Sequence, residues 1–339
     1  MRLMNDILEN RILGRWGALL PRSPLQVGAL HETDAELVDI GNGRLLALTV
    51  DAVVEEVRVG LYRAPRTVGR IAAVSSLSDL AAVGADPLGV LVSATLPHAD
   101  RDRAQEGVAR GMREVLDPAG LFVLGGDTNE GDHLALAVTA AGLVPKNAVM
   151  TRVGARPGDQ VFVSGPLGAG GAYAGATLLG IGTMDEAAFR PAVRLREGAS
   201  IRTIASSCMD TSDGFVATVD QLARINDVGI RITAAPADLL HPVAATTRRS
   251  AGIPAFPFLA SYHGEFELVF TVPPARVALL DAPAKALGWM PIPVGVVETD
   301  PGVRFGSTEV DTARLRNALA VSNGDPGTYM RTLIELSVD

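Results

Sequence analysis

The chain has 339 residues, a formal net charge of −8, and 47% hydrophobic, 20% charged and 4% aromatic residues. The length suits two domains of ordinary size, and the hydrophobic share excludes an intrinsically disordered chain. The acidic balance and the scarcity of aromatic rings argue against a nucleic-acid partner, because phosphate backbones require basic patches and single strands require stacking surfaces.

The first half of the chain predicts an alternation of strands and helices. Gly84 and the pair Asp117-Pro118 are read as helix ends, and Gly125-Gly126 as a turn that follows a strand. The apolar periodicity predicts strands over 44–51, 87–97, 121–127 and 133–144, and helices over 66–84 and 101–116.

The second half predicts a further mixed α/β unit. A turn-rich stretch over 145–159 separates the halves, so we expect an N-terminal domain over 1–146 and a C-terminal domain over 147–339. We predict a loop over 208–215. One strand is predicted to begin at residue 160, and three more are predicted over 228–236, 264–274 and 291–299. Helices are predicted over 169–180, 191–206, 215–225 and 274–288.

Several classes of protein are excluded by missing motifs. The one cysteine, Cys208, excludes a disulfide framework, and no histidines pair at a metal-binding spacing. Neither Lys146 nor Lys285 follows a glycine loop, which excludes a Walker A phosphate site, and no G-x-S-x-G occurs. The uncharged stretch 160–184 is broken by glycines, so we expect no membrane association and a cytoplasmic protein.

The glycine-rich loop over 165–175 has two interpretations. It follows a predicted strand and precedes a predicted helix, where a phosphate could meet the helix N-terminus. Tyr173 stands where the third glycine of a dinucleotide-binding loop belongs, so close packing of helix on strand explains the glycines equally well.

Aspartates at predicted element ends or in glycine turns are the strongest chemical signal. Carboxylates gathered in this way suit Mg²⁺, a hard cation that prefers oxygen ligands and shares them with phosphates. Gly125 and Gly126 would let the backbone beside one of them approach a ligand closely. The six aspartates are Asp34, Asp51, Asp79, Asp127, Asp210 and Asp213.

Five segments resemble a known superfamily, in its order and spacing. They are VSSLSDLAAVGADP (74–87), LGGDTNEGD (124–132), RVGARPGDQVFVSGPLG (152–168), DTSDGF (210–215) and GEFELVFTVPP (264–274). Through them the chain resembles the aminoimidazole ribonucleotide synthetase (PurM-like) superfamily, and within it the thiamine-monophosphate kinases most closely.

This resemblance implies a two-domain α/β fold with mixed sheets. The N-terminal domains of a homodimer would pair into a β-barrel, with ATP and Mg²⁺ at the interdomain cleft. It implies that the six aspartates are metal ligands and that Asp127, Asp213 and Arg152 are catalytic. The cofactor-binding positions would be Thr49, Gly125, Gly126, Arg152 and Ser212.

The acceptor side departs from the kinase pattern. The N-terminal turn keeps one of two adjacent aspartates, and either Glu32 or Glu36 is a candidate substitute. Arg58 replaces a histidine that meets the substrate, and is read either as a surface residue or as a ligand for an acceptor carboxylate or phosphate. The substrate glutamate corresponds to Glu265 or Glu267. For the family's aromatic C-terminal ending, Tyr329 is a weak candidate.

The resemblance therefore predicts an ATP- and Mg²⁺-dependent phosphotransferase acting on a small-molecule acceptor that need not be thiamine monophosphate. One alternative is a synthetase that activates an amide or carboxylate with ATP. A further alternative is a nucleotide-binding dimer that has lost catalysis with its second N-terminal aspartate.

Overall fold

Two mixed β-sheets organise the computed structural model, which describes residues 4–338. All strands of the first sheet lie before residue 146, and all strands of the second lie after residue 159. The division into domains 1–146 and 147–339 stays a prediction. The hydrophobic core beneath the first sheet also includes Phe162 and Tyr173, so the two halves share packed surface.

The first sheet has the strand order β1-β2-β3-β6-β4-β5, and only the β4–β5 pair is parallel. Because β5 is bonded on one side alone, it forms an edge of the sheet. The strands are β1 (Gln26–Val27), β2 (Glu36–Asp39), β3 (Arg44–Val53), β4 (Asp86–Pro97), β5 (Val123–Gly131) and β6 (Ala135–Pro145).

One face of this sheet is covered by two long helices that pack closely together. A Cβ on Gly69 would lie 2.2 Å from the carbonyl oxygen of Val108, and one on Gly111 would lie 1.8 Å from that of Arg66. Glycine is therefore required at both positions for the helices to touch. The helices of this half are α1 (Leu8–Leu19), α2 (Glu55–Arg58), α3 (Pro65–Ala82) and α4 (Arg101–Ala119).

The second sheet has the order β13-β12-β9-β11-β7-β10-β8, with a parallel β9–β12 pair. Its helices are α5 (Ala169–Leu179), α6 (Leu195–Ile201), α7 (Phe215–Asn226), α8 (Pro242–Ala251), α9 (Phe256–Ala260), α10 (Asp281–Leu287), α11 (Thr312–Arg316), α12 (Ala318–Val321) and α13 (Pro326–Glu335). Its strands are β7 (Gln160–Val163), β8 (Ser207–Asp210), β9 (Gly229–Ile232), β10 (Leu268–Val272), β11 (Ile292–Glu298), β12 (Gly302–Phe305) and β13 (Thr308–Glu309).

The predicted strands 44–51, 87–97 and 133–144 and the helices 66–84 and 169–180 are confirmed within a few residues. The predicted turn at Gly125-Gly126 is wrong, because β5 continues through it to Gly131. A Cβ on Gly126 would lie 1.9 Å from the carbonyl oxygen of Val92, so this glycine permits close strand pairing. Helix α4 also passes Pro118 before it ends.

Four predictions in the second half are corrected. The loop predicted over 208–215 begins later, because residues through Asp210 pair with β10 as strand β8. The strand predicted from 264 begins at Leu268, because Phe266 takes a left-handed backbone conformation with φ 61°. The helix predicted over 191–206 is confined to α6, and that over 274–288 is a 3-10 turn followed by α10.

Within residues 4–338, no helix combines the length and the apolar character that a membrane crossing requires.

Candidate active site

A cavity of about 600 Å³ opens between the two sheets, and both halves of the chain line it. Strand β3 contributes Thr49 and Asp51, and helix α3 contributes Asp79. The loop between β8 and α7 contributes Ser212 and Asp213. Asp34 also lines the cavity, so the tertiary structure brings together aspartates that are up to 179 positions apart in sequence.

Three carboxylates meet at one point of this site. Oxygen atoms of Asp34, Asp79 and Asp210 all lie within 4.8 Å of one another. Asp34 precedes β2, Asp79 lies near the end of α3 and Asp210 ends β8. Because carboxylates so close repel each other when ionised, the arrangement requires protons or a cation.

The hydroxyl and guanidinium groups around the cluster hold it in place. The Nη2 and Nε atoms of Arg152 donate to Asp34 Oδ1 at 2.8 and 3.3 Å. Thr49 donates to Asp79, and Ser78 donates to Asp210. Ser212, the other predicted cofactor position in the second half, donates to Asp210 Oδ1 at 2.9 Å.

Two carboxylate oxygens of the site are buried without a hydrogen-bond partner, namely Asp34 Oδ2 and Asp51 Oδ2. Such orphaned anionic oxygens are costly unless a cation satisfies them. Burial and the neighbouring aspartates also raise the pKa of Asp79 well above its usual value. The donor set of hard oxygens, the unsatisfied atoms and the repulsion all fit a Mg²⁺ site.

Asp210 and Asp213 are also held where the ionised carboxylate is unfavourable. Burial, followed by the charge of Asp34, raises the pKa of Asp210 to about 6. Burial, followed by the charges of Glu9 and Asp210, raises the pKa of Asp213 to about 7. A bound divalent cation would favour the ionised forms and reverse these shifts.

Asp127 lies apart from the other five aspartates. It is exposed on the edge strand β5 and accepts a hydrogen bond from Asn129 at 2.8 Å. Across the sheet, Asp51 pairs with Val138, Val138 with Val92, and Val92 with Gly126. Three strand spacings, about 14 Å, therefore separate β3 from this part of β5. Gly125, Gly126 and Asp127 therefore lie outside the cavity of a single chain.

Glu32 and Glu36, the two candidates for the missing aspartate, both have other partners. Glu32 accepts from the backbone nitrogen of Ala29 at 2.7 Å. Glu36 forms an ion pair with Arg22 at 2.7 Å. Neither side chain is part of the cavity wall or of the aspartate cluster.

Glu265 and Glu267 are buried in the second half, away from the cavity wall. Glu265 accepts from the backbone nitrogen of Gly168 at 2.7 Å, at the start of helix α5. Its carboxylate thus occupies the place that a phosphate would take, and this favours the packing interpretation of the glycine loop. Glu267 forms an ion pair with Arg194 at 2.6 Å.

Arg58 ends helix α2 and is exposed. The cavity wall includes Glu56 and Val59 on either side of it but not Arg58 itself. Tyr329 does line the cavity, and its hydroxyl accepts from the backbone nitrogen of Tyr262 at 2.7 Å.

Sequence reasoning missed an aromatic part of the wall that includes Tyr62, His263 and Phe266. The Tyr62 hydroxyl lies 2.8 Å from His263 Nε2, and burial lowers the pKa of His263 to about 4, so its ring is neutral. No periodicity could have paired residues 201 positions apart. The only sequence signal is their position next to the recognised motifs.

Comparisons with known proteins place the chain in a family. Residues 32–144 match the family model described as AIR synthase related protein, N-terminal domain. A crystal structure of tt0281 from Thermus thermophilus is 32% identical, with a TM-score of 0.74 over 89% of this chain and 97% of that one. A structure described as AaThiL complexed with AMPPCP and TMP is 25% identical, with a TM-score of 0.75 over 92% and 97%.

Thiamine-monophosphate kinase from Escherichia coli strain K12 is 31% identical over 328 residues, which cover 94% of this chain and 95% of that protein. The fold expected from the sequence, a mixed α/β structure of the PurM-like type, is confirmed by these neighbours. The chain belongs to the thiamine-monophosphate kinase family.

Proposed function

We propose that this protein is an ATP- and Mg²⁺-dependent kinase that transfers a phosphoryl group to a small-molecule acceptor, with an acceptor site altered from that of thiamine-monophosphate kinases. The observation that carries the proposal is the convergence of Asp34, Asp79 and Asp210 with unsatisfied buried oxygens beside a large cavity. Carboxylates of this kind hold the metal ions that accompany a nucleotide triphosphate.

The residues of the site would act mainly by positioning and by charge. Bound Mg²⁺ ions would neutralise charge on the phosphates. The aspartates that would hold them are Asp34, Asp51, Asp79, Asp210 and Asp213. Thr49 fixes the orientation of Asp79 by its hydrogen bond. Arg152, already anchored by Asp34, presents the remaining guanidinium donors to a phosphate oxygen.

The acceptor part of the cavity supports the altered site. Its aromatic wall is closed by Tyr329 and Met330 of helix α13 and by Leu178 of helix α5. Arg58 is exposed and stands one residue from Val59 of the wall, and its guanidinium would take an acceptor phosphate or carboxylate. The related structure with bound TMP makes thiamine monophosphate the first acceptor to test.

Phosphorus NMR tests the kinase directly. With ATP, excess Mg²⁺ and thiamine monophosphate, we expect ADP together with a new diphosphate ester signal in equal amount. ADP and free phosphate without that signal would point to a different acceptor. If calorimetry shows that ATP binds but no ADP forms, the result would contradict the proposal and favour the non-catalytic dimer.

We further propose that the protein is a homodimer that pairs through the bare face and edge of the first sheet. Helices α3 and α4 cover the other face, and the edge strand β5 leaves its outer hydrogen-bonding groups free for a partner. Large apolar side chains on this surface are Val50, Leu91, Phe122, Val123 and Leu124, each at least 45% exposed. A patch of this kind marks an interface, and a second copy would also cover Gly125, Gly126 and Asp127.

Leu91→Arg is expected to convert the dimer to a monomer, because a guanidinium would be buried in an apolar interface. Sedimentation velocity measures the change in mass. Met290→Arg is the matched control, since Met290 is 82% exposed on the other half of the chain. A wild-type protein that sediments as a monomer would refute the proposed dimer.

A further inference from the structure

The loop that carries two of the predicted metal ligands is held by a second loop of the same half. We call residues 210–214 the aspartate loop and residues 261–264 the supporting loop. The backbone nitrogen of Gly264 donates to the carbonyl oxygen of Ser212 at 3.0 Å. A Cβ on Gly264 would lie 1.6 Å from the carbonyl oxygen of Thr211, so the two backbones touch. A shift of the supporting loop must therefore move the aspartate loop.

The end of the aspartate loop rests on the supporting loop as well. Gly214 has a φ of 85°, and a Cβ on it would lie 2.0 Å from the carbonyl oxygen of Ser261. The supporting loop therefore contacts the backbone on both sides of Asp213.

His263, inside the supporting loop, connects it to the first half of the chain. Its Nε2 atom lies 2.8 Å from the hydroxyl oxygen of Tyr62, which is the distance of a hydrogen bond. Tyr62 is buried and lies between helix α2 and helix α3, and α3 carries Asp79. This hydrogen bond thus joins the segment before α3 to the loop that supports the aspartates of the second half.

The aspartate cluster depends on both of these segments. Asp34 and Asp79 belong to the first half and Asp210 to the second, and their oxygen atoms lie within 4.8 Å of one another. Mg²⁺ demands near-ideal octahedral geometry, and ligand distances in a working metal site vary by only about 0.2 Å. A small displacement of the aspartate loop would therefore weaken metal binding.

The hydrogen bond between Tyr62 and His263 lies within a cluster of aromatic rings. The His263 and Phe189 ring centroids are 5.3 Å apart, and Tyr62 stacks on Tyr173 at 5.8 Å. Burial lowers the pKa of His263 to about 4, so the imidazole is neutral. A hydrogen bond in such surroundings is stronger than in water, and the loss of one partner leaves the other unsatisfied.

We propose that His263 is a positioning residue, whose hydrogen bond to Tyr62 sets the aspartate loop at the distance from the first half that Mg²⁺ binding requires. The inference rests on the proposed function, because it takes the aspartate cluster as the Mg²⁺ site. His263 acts through the supporting loop and is not itself a ligand.

Tyr62→Phe tests the hydrogen bond, because it removes the hydroxyl and keeps the ring that stacks on Tyr173. Calorimetric titration of the nucleotide-free protein with MgCl₂, well below its melting temperature, measures Mg²⁺ affinity without any turnover. We expect Tyr62→Phe to weaken Mg²⁺ binding about three- to tenfold, the fold-change that corresponds to the loss of one hydrogen bond. An unchanged affinity would overturn the inference.

Tyr173→Phe is the matched control. The Tyr173 hydroxyl donates to the backbone carbonyl of Leu61, so it also joins the two halves within the aromatic cluster, but this hydrogen bond does not involve the supporting loop. Both variants lose one buried hydroxyl and should lower the melting temperature to a similar extent. Only Tyr62→Phe should weaken Mg²⁺ binding. Equal weakening in both variants would indicate a general loosening between the halves and overturn the inference.

A double-mutant cycle tests whether Tyr62 and His263 act as a pair. His263→Phe also removes the hydrogen bond and keeps an aromatic ring. The protein with both substitutions should bind Mg²⁺ no more weakly than the weaker single variant, since only one interaction is lost. Effects that add in the double variant would show that the two residues act separately, and the inference would be wrong.

ADP release by the wild-type protein separates this inference from the kinase. ADP release together with an unchanged Mg²⁺ affinity in Tyr62→Phe would reject the positioning role alone. A weakened affinity in Tyr62→Phe, without ADP release by the wild type, would retain the positioning role and reject the kinase. A wild-type protein that binds no Mg²⁺ would refute both.

Discussion

Asp79→Asn is expected to lower Mg²⁺-dependent ATP turnover by about 10²- to 10³-fold, the usual loss when one electrostatic contact to the transition state is removed. Asp79 belongs to the cluster with Asp34 and Asp210, so its amide would leave any bound Mg²⁺ one anionic ligand short. Steady-state ADP release at saturating Mg²⁺ measures the effect.

The same substitution is expected to raise the stability of the metal-free protein. Burial and the charges of Asp51 and Asp210 make an ionised Asp79 unfavourable, and an amide removes that repulsion. The amide oxygen can still accept the hydrogen bond from Thr49. We expect roughly 0.5–2 kcal/mol of added stability, as is common when a functional site is relaxed.

Chemical denaturation without Mg²⁺ measures this second effect, with Asp300→Asn as control because Asp300 is exposed on the second half of the chain. Loss of activity together with a gain in stability would show that Asp79 is kept for metal binding at a cost in stability. Full activity in the variant would show that Asp79 is not needed for catalysis. A large loss of stability would show that its role is structural.

The stabilising effect of Mg²⁺ is expected to be clearly larger at pH 8 than at pH 5.5. The pKa values of Asp210, about 6, and Asp213, about 7, are raised in the folded chain above the ordinary value of 3.8. Between about pH 4 and pH 7 the folded protein therefore binds more protons than the unfolded protein. The contribution of these two groups to the stability of the folded protein therefore falls as the pH rises through that window.

Metal binding reverses this trend because Mg²⁺ must displace the protons. Below pH 6 the competition weakens the apparent affinity, by up to about tenfold per pH unit for each proton released. Above pH 7 the carboxylates are ionised, and the metal relieves a repulsion that is fully present. The stabilisation by Mg²⁺ should thus grow across this window.

Thermal melts with and without MgCl₂ at the two pH values provide the measurement. Asp213→Asn should flatten the pH dependence of the Mg²⁺ effect, since it removes the group whose pKa is raised to about 7. Asp300→Asn should leave it unchanged. An equal Mg²⁺ effect at both pH values would show that these aspartates do not face the metal.

The order of the strands and helices near the motifs, and the chemically important residues on those motifs, could be predicted from the amino-acid sequence. The apolar run that ends at Asp51 became β3, and the pattern before Gly84 became α3, because local periodicity decides whether a buried strand or helix forms. Asp34, Asp79 and Asp210 were among the aspartates predicted as metal ligands, and their oxygen atoms lie within 4.8 Å of one another in the structure.

Elements without strong periodicity were decided by tertiary contacts. Gly126 was predicted to lie in a turn, but it instead permits the close pairing of two strands. The left-handed backbone conformation of Phe266 makes β10 begin later than predicted. Glu265 was read as a substrate residue, yet in the fold its carboxylate receives the first backbone nitrogens of a helix. Such roles depend on what lies opposite a residue, which sequence spacing does not contain.

The acceptor part of the cavity could not be predicted from the sequence. Tyr62 and His263 are 201 positions apart and meet because the two sheets close around the cavity. The metal ligands lie on recognisable motifs, whereas the charge and shape that would select an acceptor arise from distant segments packed together.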